Sequence, residues 1–281
     1  MKRLGLLLAL FSVAAWSTNY LAGRYLAWRG VDPLALSVVR FALATPVIFA
    51  LARFPKYRGS FKTLFLLGLL GVAGFNIFLY TSLNYISAAV ASLFVVLASP
   101  LTQLLQLVIR RERPGIAAVA GSLLSVAGAY LILEPYIAVK SLLGPLLAVS
   151  ATLSWSLYTV LVRQAYSLYA PAEAMAWISL FGLVAMTPAA PFAAYGQILS
   201  PLNAAVVIYV ALVPGALAYT AWNMAVKQVG PRASAAVLPL MPVITAALSA
   251  ALLGEYLSAQ QLLGMAAAVA GVYLALRDKD K

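Results

Sequence analysis

Residues 91–130 read ASLFVVLASPLTQLLQLVIRRERPGIAAVAGSLLSVAGAY, and residues 233–273 read ASAAVLPLMPVITAALSAALLGEYLSAQQLLGMAAAVAGVY. Ala91-Ser92, Pro100, Glu112, Gly121, Gly128 and Tyr130 of the first stretch return as Ala233-Ser234, Pro242, Glu255, Gly264, Gly271 and Tyr273 of the second. The offset is 142 residues up to the proline and 143 from the glutamate onward, so one residue has been inserted between them. Each stretch holds two apolar runs split by a short polar break. The front of each half repeats as well: Trp16-Ser17 with Arg24 returns as Trp155-Ser156 with Arg163, at the same internal spacing of eight. A module of about 140 residues has been used twice, and the halves divide as residues 1–138 and 139–281.

Composition names the solvent of that module. The chain is 64% hydrophobic and 9% charged, with a mean hydropathy of +0.97. A soluble domain carries about 25% charged residues. The apolar excess comes in runs of roughly 18–25 residues, the length a helix needs to cross about 30 Å of hydrocarbon. The reading is an all-α integral membrane protein. Cysteine and histidine are both absent, which excludes disulfides, thiol chemistry and the commonest general base and nitrogen ligand. Neither a metal nor a cofactor is expected, and a membrane-embedded enzyme would lack its catalytic set. Net charge is +12, but the basic residues sit in short loops, not on a basic face with interleaved aromatics, so nucleic acid is not expected as a partner.

The apolar runs place ten helices, over residues 4–27, 33–52, 63–82, 87–109, 116–133, 142–162, 171–194, 202–226, 233–253 and 259–276. Pro33, Pro114, Pro171 and Pro231 fall at or just before helix starts, where a missing backbone N–H costs little. With this layout one set of loops and both termini hold fifteen Lys and Arg, from Lys2 and Arg3 to Lys279 and Lys281, while the other side holds only Arg24, Arg29 and Lys140. That bias puts both termini in the cytoplasm of a multi-pass cell (inner) membrane protein. Five spans per half is odd, so the second half enters the bilayer inverted relative to the first. Inverted repeats around a midplane site are the architecture of alternating-access carriers.

On these residues the chain resembles the drug/metabolite transporter superfamily, specifically its EamA-type members, and among them YddG-like amino acid exporters. The resemblance rests on the duplicated Ala-Ser, Pro, Glu, Gly, Gly pattern, on the Trp-containing first helix of each half and on Arg40-Phe41. It departs at Arg111, which precedes Glu112 where Gly254 precedes Glu255. It implies ten helices around a central cavity, with helices 1, 3, 4, 6, 8 and 9 facing it and helices 5 and 10 outside.

Polar and aromatic residues inside spans are the candidate substrate-binding groups, since they face lipid only at a cost. Trp16, Asn19 and Tyr20 share a face of helix 1, and Trp155 and Tyr158 are the counterparts in helix 6. Asn76 and Tyr80 form an i, i+4 pair in helix 3, mirrored by Tyr219 and Asn223 in helix 8, which flank Trp222. An amide beside an aromatic ring suits an amino acid or similar amphipathic solute. Arg40 is the single charge well inside a span and reads as a carboxylate or phosphate anchor or an outer gate; its counterpart is Ser179. Ser99, Gln103 and Pro100 in helix 4, with Pro239 and Pro242 in helix 9, are candidate binding or hinge positions, because a mid-helix proline frees a carbonyl. Gly68, Gly71 and Gly74, and the pairs Gly121–Ser125 and Gly264–Ala268, read as close-packing sites. Glu112 and Glu255 read as helix caps or partners of nearby basic groups.

No Asp or Glu lies deep in any span, so facilitated diffusion, or coupling without an intramembrane acid, is expected. The functional expectation is an alternating-access exporter or facilitator of neutral or aromatic amino acids or similar small molecules, monomeric or a weak homodimer in the lipid bilayer. A nucleotide-sugar or drug carrier is the alternative within transport; a structural or lipid-scrambling protein is the alternative outside it.

Overall fold

The computed structural model of the protein describes residues 2–86, 88–133, 141–253 and 258–277. All regular structure among them is helical. α1 spans Lys2–Trp28, α2 Pro33–Leu51, α3 Phe61–Ser82, α4 Val90–Arg110 and α5 Ile116–Leu133. α6 spans Leu143–Leu161 and tightens into a 3-10 turn over Val162–Ser167. α7 spans Pro171–Met186, α8 Pro201–Ala235, α9 Leu240–Leu253 and α10 Ala259–Leu276. Among the described residues seven stretches are long and apolar enough to cross a membrane, namely α1, α2, α3, α4, α6 with its extension, α8 and α10; α5 and α7 are apolar but shorter.

Local chemistry sets the ends. Asp32 Oδ1 accepts from the Leu34 and Ala35 amides at 2.7 and 3.0 Å, with Pro33 opening α2. Glu173 accepts from the Ala170 amide at 2.9 Å and pairs with Arg58 at 3.2 Å, tying the start of α7 to the loop before α3. Ser258 and Gln261 cap α10 reciprocally. Glu112 pairs with Arg163 at 4.0 Å and accepts from Gln106 at 3.0 Å; Glu255 lies outside the described residues.

Three boundaries differ from the sequence expectation. The seventh helix stops at Met186 instead of running to residue 194, because Pro188 and Pro191 force the chain into turns. The fourth is interrupted at Leu97, between Ala88–Val96 and Ala98–Leu105, just ahead of Pro100. Residues 231–235 continue α8 beyond a kink at Gly230 (φ 85°, ψ 163°), and α9 proper begins at Leu240 after a turn over residues 236–239. The kink is needed, since the 35 residues of α8 would extend about 52 Å if straight, well beyond the hydrocarbon thickness.

The helices sort into groups. α1 lies along α8, and the Phe75–Ser82 half of α3 lies along α6; α2 sits between α7 and the middle of α8. α5 and α10 form an antiparallel pair of their own. A Cβ added at Gly121 would meet the Gly271 carbonyl at 2.5 Å, and one at Gly128 the Gly264 carbonyl at 2.6 Å; the reverse contacts from Gly264 and Gly271 are as close. Backbone therefore touches backbone, as small-residue faces allow in membranes, and Ser125 Oγ donates to the Ala268 carbonyl across the pair. Gly68 meets Gly182 and Ile178 backbone in the same way. Aliphatic side chains such as Leu7, Ile116, Leu123 and Leu263 face outward, while the largest buried side chains are Trp222, Arg40, Tyr20, Tyr80, Tyr158 and Tyr219. Within the spans, aliphatic side chains face outward while Asn19, Arg40, Asn76 and Asn223 are buried, the arrangement lipid requires.

Candidate functional site

At the centre, Trp16 of α1 meets Trp155 of α6 edge to face, with ring centroids 5.0 Å apart. Trp222 and Tyr219 of α8 lie 5.2 and 5.6 Å from Trp16, and Phe75 of α3 lies 5.1 Å from Trp155. Trp16 Nε1 donates to the Pro214 carbonyl at 2.9 Å. That carbonyl belongs to a π-helical turn, Ala211–Leu217, and α3 carries the same irregularity over Leu69–Gly74. The two turns sit at repeat-equivalent positions, immediately before Asn76–Tyr80 and Tyr219–Asn223. Each widened turn re-aims the side chains that follow it and leaves carbonyls for side-chain donors. Ser154 Oγ takes Leu70 O at 2.8 Å, Tyr219 Oη takes Gly71 O at 3.0 Å and Asn76 Nδ2 takes Val72 O at 2.7 Å.

Beside the indoles, toward the Trp28 end of α1, lies a polar layer. Arg40 Nη1 donates to Asn76 Oδ1 at 2.5 Å and to Tyr80 Oη at 2.7 Å, and Tyr80 Oη donates to Asn19 Oδ1 at 2.9 Å. Asn76 Nδ2 also donates to Tyr219 Oη at 3.1 Å. The Arg40 guanidinium lies 5.5–5.8 Å from the rings of Phe41, Tyr80 and Tyr219. It is 1% exposed, and among the described residues no carboxylate pairs with it; the ion pairs found, Arg58–Glu173 and Arg163–Glu112, are peripheral.

On the opposite side of the indoles lies a second layer. Tyr158 Oη donates to Asn223 Oδ1 at 2.9 Å, and Tyr166 Oη donates to the Asn223 carbonyl at 2.9 Å. Asn223 Nδ2 bonds Tyr219 O at 2.8 Å and Met175 Sδ at 3.2 Å. One turn further on, Lys227 Nζ stands 5.5 Å from the Tyr166 ring. Beyond it opens a vestibule of about 920 Å³ walled by Glu112, Arg113, Arg163, Lys227, Arg232 and the Gly230 kink.

Asn19–Tyr80 and Tyr158–Asn223 occupy equivalent places in the two halves, with amide and phenol exchanged: residue 19 corresponds to 158, and 80 to 223. Both bonds join the α1–α8 group to the α3–α6 group. Between them the expected central cavity is reduced to a hollow of about 10 Å³, lined by Trp16, Asn19, Tyr20, Arg40, Phe75, Leu79, Val95, Trp155 and Met241. That is room for about one water. The centre is closed from both sides.

Eleven of the residues singled out from sequence thus meet: Trp16, Asn19, Tyr20, Arg40, Asn76, Tyr80, Trp155, Tyr158, Tyr219, Trp222 and Asn223. Ser99 and Gln103 do not. Both bond Ser122 of α5, Ser99 at 2.8 Å, and Gln103 also reaches the Ala118 carbonyl at 3.3 Å. They fasten α4 to α5, because the face of α4 that bears them turns away from the indoles. Pro242 also departs from expectation: it lies in the first turn of α9, where no intrahelical bond is lost, and Pro239 lies in the preceding turn. Pro100 follows the interruption at Leu97. Tyr166, Phe75 and Met175 went unassigned from sequence. Tyr166 sits past the end of its apolar run, and Gly71, Gly74 and Pro214 were the available signs of the π-helical turns.

A profile of the EamA-like transporter family matches residues 3–134 and, a second time, residues 142–277. The chain belongs to this family. Like its relatives, this EamA-like protein is a multi-pass membrane transporter of the drug/metabolite type, and not an enzyme. It is 27% identical over 274 residues to an uncharacterised transporter of Archaeoglobus fulgidus, covering 95% of this chain and 97% of that one. It is 27% identical over 268 residues to a probable terminal-alkyne amino-acid exporter of Streptantibioticus cattleyicolor, covering 94% and 90%. A crystal structure at 22% identity shares the fold with a TM-score of 0.81 over 98% of each chain.

Proposed function

We propose that this EamA-like transporter moves small amphipathic metabolites, amino acids or close relatives of them, out of the cell by alternating access. In this reading ten spans form two inverted five-helix halves, residues 1–138 and 139–281, with both termini in the cytoplasm. The observation that carries it is the pair of exchanged Asn–Tyr bonds. Both cross between the same two helix groups, and they lie on opposite sides of the indole cluster, so a rocking of one group on the other breaks one bond while the other persists. Two further features support the inverted relation: Gly121 meets Gly271 as Gly128 meets Gly264, and each half matches the family profile separately. The basic vestibule collects residues from the Lys- and Arg-rich set of loops, which supports a cytoplasmic position for it. The export direction and the amino-acid class follow the Streptantibioticus relative. Arg40 and the indoles suit a polar head and an apolar body.

The test is counterflow in vesicles reconstituted with purified protein. Labelled phenylalanine or a similar solute should exchange against unlabelled solute, saturably and without a pH gradient. A crosslink between cysteines at 23 and 83, positions in contact between α1 and the end of α3, should stop the exchange, and reduction should restore it. Solute-independent lipid movement with no saturable flux would instead identify a scrambling protein.

A further inference from the structure

We propose that Arg40 Nε and the Tyr20 hydroxyl form an anion subsite that takes the carboxylate of the transported solute, so that organic acids with an apolar or aromatic body are the substrate class and a free amine adds nothing. This rests on the transport reading above and sharpens it. Both atoms are buried and without a hydrogen-bond partner, and both residues line the central hollow. Two donors left idle at one internal hollow are an uncompensated cost in a membrane interior, and a carboxylate oxygen satisfies both. Arg40 Nη1 donates to Asn76 and Tyr80, which fixes the planar group, while Nε keeps no partner and lies beside Gly215 of α8, whose missing Cβ would stand 3.5 Å from it. A held guanidinium with an unpartnered Nε is a directional charged donor, which favours carboxylates over spherical anions.

The rest of the wall gives the selectivity. Trp16, Trp155 and Phe75 line the hollow with aromatic rings suited to an apolar body. None of the residues lining the hollow is acidic. An ammonium there would find Asn19 Oδ1, which already accepts from Tyr80, and would sit close to a cation of its own sign. A zwitterion is tolerated and a lone amine is rejected.

Three probes share one ring and differ in charge: hydrocinnamate (carboxylate only), phenylalanine (zwitterion) and phenethylamine (ammonium only). Binding is read from the tryptophan fluorescence of the purified protein, since Trp16 and Trp155 border the site. Hydrocinnamate should bind at least as tightly as phenylalanine, and phenethylamine roughly tenfold or more weakly. Arg40→Gln should weaken hydrocinnamate by about tenfold or more, and Tyr20→Phe, which removes only a hydroxyl, by about threefold to tenfold. Should Arg40→Gln fail to fold, Arg40→Lys and Tyr20→Phe decide. Lys keeps the charge without Nε and should lose affinity while still rejecting the amine. Equal binding of phenethylamine, unchanged hydrocinnamate affinity in these variants, or no binding of any probe overturns the subsite. Vesicle exchange separates the two readings. Flux of phenethylamine alone leaves transport standing and removes the subsite, whereas Arg40-dependent binding with no flux of any probe removes transport and keeps the subsite.

Discussion

Tyr80 Oη serves two partners at once, accepting from Arg40 and donating to Asn19. Tyr80→Phe leaves both short, at a cost of about 1–3 kcal/mol per buried unsatisfied group, and should lower the melting temperature measurably. Tyr158→Phe should cost less, because Asn223 keeps Tyr166 and the Tyr219 carbonyl. A melting curve for each reads the difference, and equal losses would contradict the assignment. Gly71 is a second sensitive position: a Cβ there would lie 2.6 Å from Tyr158 Cγ. Gly71→Ala should destabilise by about 1–3 kcal/mol through overpacking, and Gly71→Ala combined with Tyr158→Ala should cost less than the sum of the two single changes. The role of Trp16 also changes in light of its packing. Its indole touches three other rings and holds the Pro214 carbonyl, so Trp16→Ala should cost about 3–5 kcal/mol of folding, and Trp16→Phe is the better probe of transport. At this scale the sequence told which residues are unusual, since polarity inside an apolar run is itself the signal. It did not tell which partner each would choose. Asn76 and Tyr80 share a helix face, yet Asn76 bonds Tyr219 and Arg40, not Tyr80.

Among the elements, the antiparallel α5–α10 pair depends on glycine carbonyls touching glycine carbons. Gly128→Leu would drive a side chain into the Gly264 and Ala268 backbone, where no rotamer can yield, and should separate the pair. A lower melting temperature for this variant than for Gly196→Leu, which meets open space, would report it. The helix starts at Pro33 and Pro171 were legible, because a proline at a first helical position is local chemistry. Helix rotation was not legible for α4. An apolar run that is hydrophobic all round carries little information about which face turns inward, and that is why Ser99 and Gln103 were placed at the centre and lie against α5. The π-helical turns were equally hidden, since they are stabilised by Ser154, Tyr219 and Trp16 from other helices.

For the whole molecule, the repeated motifs, 139 residues apart at Trp16 and Trp155 and 142 to 143 apart later in each half, gave a proposed architecture before any coordinate. The sidedness that follows is directly testable in a chain with no native cysteine. Single cysteines at Arg58 and Lys227 should react with an impermeant maleimide from the same face of the membrane, and one at Arg29 from the opposite face. Labelling of Arg58→Cys and Lys227→Cys from different faces would end the inverted-repeat reading. The closed centre was not legible, because nothing in a sequence says which of several states of a carrier its side chains will close around.

Duplicated halves would be energetically interchangeable if they matched throughout, but Arg40 has only Ser179 opposite it. On the alternating-access proposal, a fixed positive charge riding on one half would make reorientation of the empty carrier sensitive to voltage, by as much as about 2.3 kcal/mol per 100 mV for a full charge crossing the field. A bound anion cancels that charge. A carrier loaded with an organic anion would then turn over without regard to membrane potential, whereas an empty or zwitterion-loaded one would not.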